Sequence, residues 1–291
     1  MKSLSNRFVV RVVRNPDMTA AVGLNLGVAA ARGEVIFTLG AHTRYSANYV
    51  SGAITAMLDE DCDAVGSRAI TLPGGYSRMA RAIALALSCR FGVGNSEMRV
   101  GSSSSRRIPA DTASCPAYRR RVFEHIGRFN PQLIRNQDIE FNLRLRRAGM
   151  KLVLDQGITS AYQARSTLGE LAVNCFSNGY WVIRSLRVCG HAFSARHLVP
   201  LFFVMGMIVI MTSVATLTTS HEARWLIPTA AAGAYAVAGA ISLLSTHGKK
   251  AIPEALLVFP VMHCSYGLGS LWALLTIWRP VPVRPSVSTS S

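Results

Sequence analysis

Two acids and three arginines crowd one short segment, Asn136-Gln137-Asp138-Ile139-Glu140-Phe141-Asn142-Leu143-Arg144-Leu145-Arg146-Arg147-Ala148-Gly149. A carboxylate can take a proton from a hydroxyl, and a guanidinium can hold a phosphate. The apolar spacing predicts a helix over 137–148, with Asp138 in its first turn after a polar approach. There a carboxylate can point into a cleft. Glu140, two residues on, is expected to face away. Residue types alone leave a second reading open, in which Asp138 caps the helix and pairs with Arg144 or Arg135. A second basic segment, Gly101 to Arg107, is read either as a surface linker or as a mobile loop. As a mobile loop it would close on a phosphate-bearing ligand through Arg106 and Arg107.

These residues need a scaffold, and the flanking sequence predicts one. Arg7–Val13 reads as a strand and Asn15-Pro16-Asp17 as a turn. Thr19–Arg32 reads as a helix, Val35–Leu39 as a buried strand, Ala47–Leu58 as a helix and Ala64–Ser67 as a strand. Ser77–Arg90 and Ala117–Ile126 read as helices and Lys151–Leu154 as a strand. This alternation argues for a parallel α/β sheet. Leu168–Leu186 is amphipathic with a basic end and is expected on a membrane surface.

Charge divides the chain. Of 291 residues with a formal net charge of +16, residues 1–196 hold 26 of 31 Lys+Arg and 13 of 15 Asp+Glu. Three uncharged runs follow, over about 198–217, 225–244 and 255–278. Each is long enough to cross a hydrocarbon core, which takes about 20 residues. Trp225, Trp272 and Trp278 stand near run ends, as interfacial anchors do. The Lys/Arg bias (Arg184, Arg187 and Arg196 before the first run, Lys249 and Lys250 in the second loop) places residues 1–196 on the cytoplasmic side of a multi-pass plasma (inner) membrane protein. Arg279 and Arg284 argue mildly against an external tail. Residues 1–20 hold Arg7, Arg11, Arg14 and Asp17 and no long apolar core, so no secretory signal is expected there. The arginines are dispersed and a membrane face accounts for them, so nucleic acid is excluded as a partner. The six cysteines form no CxxC pair and read as free thiols.

Several segments together resemble family 2 glycosyltransferases of the membrane-attached, succinoglycan or exopolysaccharide type. They are Asn15-Pro16; Ala21-Val22-Gly23-Leu24-Asn25-Leu26-Gly27; Ala30 to Ile36; Ala41-His42-Thr43-Arg44-Tyr45; Asp111-Thr112 to Arg120; Gly127-Arg128-Phe129-Asn130; and Asn136-Gln137-Asp138. Tyr162, Arg165, Gly179-Tyr180-Trp181, and Pro260, His263 and Tyr266-Gly267-Leu268-Gly269 extend the likeness.

The resemblance implies a partial GT-A, Rossmann-like domain over 1–190 and a three-helix membrane domain over 191–291. It implies inverting transfer of a sugar from a nucleotide-sugar donor to a lipid-linked or growing glycan acceptor, at the bilayer and within a polysaccharide-synthesis complex. Asp138 would be the catalytic base. His42, Arg106, Arg107 and Arg144 would hold donor phosphate, and Asp111, Gln137 and Trp181 would hold acceptor.

The chain departs from the family pattern in three places. The family's Asp-Ala-His binds Mg²⁺ or Mn²⁺. Here the first position is Gly40, leaving His42 as a weak metal ligand. The closing segment reads Asn174-Cys175-Phe176-Ser177-Asn178, where the family often has Gln or Arg. The family's opening strand, nucleobase loop and acidic Asp-x-Ser-x-Asp segment have no counterpart, so Met1 is either a misassigned start or the chain is shortened. The alternative reading is a non-catalytic paralogue that binds membrane or a partner enzyme.

Overall fold

The computed structural model describes residues 9–101, 105–190, 194–217 and 221–280. Six strands are present among them: β1 (Val35–Phe37), β2 (Arg44–Tyr45), β3 (Ala64–Leu72), β4 (Arg107–Pro109), β5 (Ser114–Arg119) and β6 (Leu152–Gln163). The helices are α1 (Ala20–Ala30), α2 (Tyr49–Asp59), α3 (Arg78–Ala86), α4 (Arg90–Val93), α5 (Glu97–Val100), α6 (Arg120–Ile126), α7 (Gln137–Arg147), α8 (Leu168–Cys189), α9 (Val199–Leu217), α10 (His221–His247) and α11 (Glu254–Leu275).

The sheet runs β1-β5-β3-β6-β2, with β4 on the far part of β6. Only β3 and β6 pair in parallel. The β1–β5, β3–β5, β2–β6 and β4–β6 pairs are antiparallel. The parallel sheet expected from element alternation is therefore a mixed one. The cause is β5. Residues 117–119, expected to open a helix, extend instead and insert between β1 and β3, and the helix starts only at Arg120. Arg7–Val13 also differs. Residues 7 and 8 lie outside the described part, and 9–13 form no strand. Val9 is 88% and Val12 81% exposed. Strand propensity without a partner strand does not make a strand.

The pleat sorts the core. Ala64, Tyr118 and Leu152 face α1, α6 and α7, while their neighbours Val65, Ala117 and Val153 face α2. Successive side chains on a strand point to opposite faces, so one sheet serves two helical layers. The first layer is dominated by aromatic rings. Phe141 of α7 stacks on Phe129 at 4.4 Å and on Phe123 at 5.2 Å, with Tyr118 edge-on at 5.2 Å. The Tyr118 hydroxyl donates to Asn142 Oδ1 at 2.8 Å. This packing fixes the rotation of α7, and with it the direction of its first turn.

A third layer lies beyond the sheet. Ala82 and Ile83 of α3, Leu171 and Cys175 of α8, Leu243 of α10 and Val258, Phe259 and Met262 of α11 form one apolar cluster. The membrane-surface helix expected over Leu168–Leu186 is the longer α8, whose buried face is covered by α11. Three helices are long and apolar enough to cross a membrane: Val199–Thr216, Trp225–His247 and Glu254–Leu275.

Phe141→Ala should lower unfolding stability by about 3–5 kcal/mol, because the ring is fully buried among three others. Phe141→Leu should cost less. Thermal unfolding of the detergent-solubilised chain measures both.

Candidate active site

Helix α7 begins abruptly. Its N-cap, Asn136, takes the left-handed conformation (φ 62°, ψ 18°), which Asn tolerates better than most residues. The Asn136 carbonyl accepts from the Glu140 amide at 3.1 Å. Asp138 then sits in the first turn, and its Oδ1 accepts the Ile139 amide at 2.9 Å.

The Asp138 residue is open to solvent. Its carboxyl nevertheless lies deep enough among protein atoms that desolvation raises its pKa. The Ile139 amide, its own amide and the charge of Arg99 oppose that rise without cancelling it. A carboxyl with a raised pKa on a solvent-open residue binds a proton more firmly than a free one, as a general base must. Tyr118, fully buried behind it, has its own pKa pushed up by burial first and by the charge of Asp138 second.

Arg99 has no spacing or motif to announce it. It lies on α5 with its guanidinium over the Tyr162 ring, 5.3 Å from the centroid. Its Nη1 is buried without a hydrogen-bond partner. Burial holds it below the usual guanidinium range, while Tyr162, Cys175 and Asp138 pull the other way. An unpartnered buried donor costs about 1–3 kcal/mol unless something arrives to accept from it. Only the structure brings Arg99 into the electrostatic reach of Asp138.

The other candidate residues fall in different places. His42 is exposed and lines a recess of about 190 Å³ together with Arg44, Leu72, Ala161 and Gln163. Gly40 lies beside it. The Gly40 amide donates to the Tyr45 hydroxyl at 2.6 Å, and that hydroxyl also faces Cys115 Sγ at 3.4 Å. Among the described residues no three His, Cys, Asp or Glu side chains gather as metal ligands. One exposed imidazole does not suit Mg²⁺ or Mn²⁺, which take several oxygen ligands. Among the described residues, the side chains beside His42 do not supply the oxygen ligand set of a protein-held divalent metal.

Arg106 and Arg107 are committed elsewhere. Asp155, fully buried, accepts from Arg106 Nε at 3.1 Å and from Arg107 Nε at 3.2 Å, and Arg107 also pairs with Asp59 at 2.8 Å. Releasing them to a phosphate would strand a buried carboxylate. They stand at the Ser67–Asp155 register, whereas the His42 recess begins at Ile70–Ala161. Three residues of strand separate the two, roughly 10 Å. Residues 102–104 of the expected mobile loop lie outside the described part.

Arg144 is likewise a structural brace. It pairs with Glu140 at 2.7 Å and donates to the carbonyls of Arg128 (2.7 Å) and Ile126. Glu140, expected to face away, is buried by this contact. Asp138 therefore pairs with neither Arg144 nor Arg135, whose Nη1 donates to Asn178 at 2.9 Å.

Trp181 is 7% exposed and packs edge-on against Tyr180 at 5.9 Å, so it lines no open cleft. Asp111 accepts from Arg196 at 2.8 Å and from Ser194 at 3.1 Å, beside a small recess shared with Thr112, Ile139 and Leu143. Gln137 stays on the first turn of α7 beside Asp138, half-buried. All six cysteines are free thiols.

This mixed α/β sheet, with its apolar helices and acid-tipped α7, has likenesses among known proteins. Residues 2–127 match the model of glycosyl transferase family 2. A curated relative is the succinoglycan biosynthesis protein ExoA of Rhizobium meliloti (strain 1021). It is 25% identical over 167 residues, which make up 57% of this chain and 49% of that protein. The chain thus spans about half the length of this relative. Asp138 lies outside the matched 2–127 segment. Among solved structures, GalNAc-T7 with UDP, GalNAc and Mn²⁺ aligns over 60% of this chain and 38% of its own, at 14% identity and a TM-score of 0.37. S. aureus TarS aligns over 95% of this chain and 46% of its own, at 9% identity and a TM-score of 0.39.

Two variants test the site. For a transfer reaction in which Asp138 is the base, Asp138→Asn should cut the rate by about 10²–10⁴-fold, the usual share of a general base. Its melting temperature at pH 7.5 should be unchanged or higher. The sign follows from the raised pKa: the ionised carboxylate is less favourable in the fold than in the unfolded chain, so it opposes folding above that pKa. Arg99→Gln removes a charge that lowers the Asp138 pKa, so the acidic limb of the pH–rate profile should move to higher pH. A limb that stays in place in Arg99→Gln would mean that the two groups are not coupled.

Proposed function

We propose that the chain transfers a sugar from a nucleotide-sugar donor to a lipid-linked or growing glycan acceptor at a membrane, with inversion at the anomeric carbon. The observation that carries this reading is Asp138, an acid on a solvent-open residue at the start of α7 whose pKa burial raises, in a chain whose residues 2–127 match glycosyl transferase family 2. Asp138 takes the proton of the acceptor hydroxyl. The hydroxyl oxygen attacks the anomeric carbon from the face opposite the leaving diphosphate. The bond from that carbon to the diphosphate oxygen breaks, and the nucleoside diphosphate leaves with the electron pair.

His42 and Arg44 are the basic side chains of the recess assigned to the donor. Arg99 offers its unpartnered Nη1 to an anionic oxygen near Asp138. Gln137 flanks the acceptor, while Asp111 acts through the segment it anchors at Ser194 and Arg196. Arg106, Arg107 and Arg144 support the scaffold. The likeness to a succinoglycan biosynthesis protein favours polysaccharide synthesis as the setting and an assembly of such enzymes as the partner. The apolar helices favour a bilayer, with the α/β domain on its cytoplasmic side.

A second reading is favoured by Gly40, which leaves the recess without a carboxylate. In that reading the chain is a non-catalytic relative that binds membrane or a partner. The test is transfer of radiolabelled sugar by membranes carrying the full chain. Label incorporated by the native chain and lost in Asp138→Asn supports the transferase. No incorporation from any common nucleotide-sugar supports the second reading. Gly40→Asp should tighten Mn²⁺ binding at least tenfold, as read by calorimetry. A Cβ at position 40 would meet only the side-chain oxygen of Thr43 closely, at 3.0 Å, so the substitution fits. Unchanged affinity would remove position 40 from the metal question.

A further inference from the structure

Helix α11 has the length and apolarity of a span, but its packing is that of a docked helix. It runs side by side with α8. Leu171 and Cys175 share a cluster with Val258 and Met262, Gly179 meets Tyr266, and Arg184 reaches Thr276. The approach is close: a Cβ at Gly179 would stand 2.0 Å from the Tyr266 carbonyl oxygen, and one at Gly269 would stand 2.1 Å from that of Phe176. Of the three candidate spans, α11 is 39% buried, against 17% and 11% for α9 and α10.

Helix α8, in turn, lies along the α/β domain. Asn178 accepts from Arg135, the Cys189 sulfur meets Asn130, and the segment after α8 is tied back by Arg196 and Ser194 to Asp111.

Both ends of α11 are therefore held on the domain side. At its start Glu254 pairs with Arg78 of α3 at 2.7 Å. At its end the fully buried Arg184 donates to the carbonyls of Thr276 (3.0 Å), Ile277 (3.2 Å) and Arg279 (2.7 Å), joined by Arg187. A helix of 22 residues is about 33 Å long. A crossing α11 would put its two ends on opposite faces of the bilayer, each still bound to the same charged domain.

Helices α9 and α10 differ. The α9 entry follows Arg196, which is bound to Asp111. The α10 exit returns to the domain, where His247 Nε2 lies 3.0 Å from the Leu85 carbonyl and Ser242 accepts from the Phe91 amide. Between these anchors both helices expose apolar side chains, including Met205, Ile208, Val209, Met211, Leu226 and Ile227.

We infer that only α9 and α10 cross the bilayer, as an out-and-back hairpin, and that α11 lies along the membrane surface as part of the platform under the α/β domain. Leu257, Leu268, Trp272 and Leu275, exposed on one stripe of α11, face the acyl boundary, continuous with the apolar hairpin. The C-terminal tail then lies on the same side as the α/β domain, which agrees with its Arg279 and Arg284. The inference rests on the membrane reading above.

Epitope tags at the N-terminus, between Leu217 and His221, and at the C-terminus, each in a full-length chain, test it by protease accessibility in sealed inverted vesicles. The expected result is both terminal tags on the same face and the middle tag on the opposite one. A C-terminal tag on the face opposite the N-terminal tag overturns the inference, since α11 then crosses. A middle tag on the same face as the termini also overturns it, since the hairpin then does not cross. Alkaline carbonate extraction keeps the two readings apart: release of the whole chain from the vesicles sinks the membrane reading, and this inference with it.

Discussion

The seam between α8 and α11 joins two parts of the molecule with opposite solvent preferences. One flank of α8 carries Asn178 and Cys189, which bond to the loops around α6 and α7. The other flank is closed by α11 at contact distances that only glycine permits. Cys175 of the same helix lies in the electrostatic field of Arg99, which in turn acts on Asp138. A shift of α8 would therefore reach the apolar helices and the candidate base together. Interiors packed this densely transmit displacement and do not absorb it.

The candidate site is a matter of arginine allocation. The chain holds 27 arginines by count, and several of them are committed to internal partners. Arg106 and Arg107 neutralise Asp155, Arg144 neutralises Glu140 and braces two carbonyls, and Arg184 binds the carbonyls just past α11. A guanidinium with five donors is well suited to such bracing. What remains beside Asp138 is Arg99, whose donor is buried and unsatisfied. Strained or unpaired polar groups gather where a ligand completes them.

The sequence made α7 legible because its apolar residues keep helical spacing and its polar approach marks a start. It singled out Asp138 as a candidate base only through likeness to a family, since a capping acid has the same signature. It concealed β5, because Cys115-Pro116-Ala117-Tyr118 has neither clean alternation nor helical period, and its strand is imposed by the neighbours it joins. It misdirected the roles of Arg106, Arg107 and Arg144, because an arginine's partner is set by tertiary contacts that spacing does not encode. Trp181, expected beside an acceptor, is instead buried, because burial of an aromatic is set by packing that sequence spacing does not encode. The mean hydropathy that marks α11 as a span is equally satisfied by a helix buried between others.

The bonds of Arg184 also bear on how the molecule is made. Its carbonyl partners lie 92 to 95 residues further along the chain. Chains emerge from the N-terminus first, and contacts between distant residues wait for the later partner to appear. Until α11 has been synthesised, α8 would present a fully formed guanidinium and a row of close-packing glycine and apolar surface with nothing to cover them. The α/β domain can form its sheet early, but its underside stays unfinished until the last helix arrives. The C-terminal end of the described chain is thus the latch that closes a domain begun more than two hundred residues earlier.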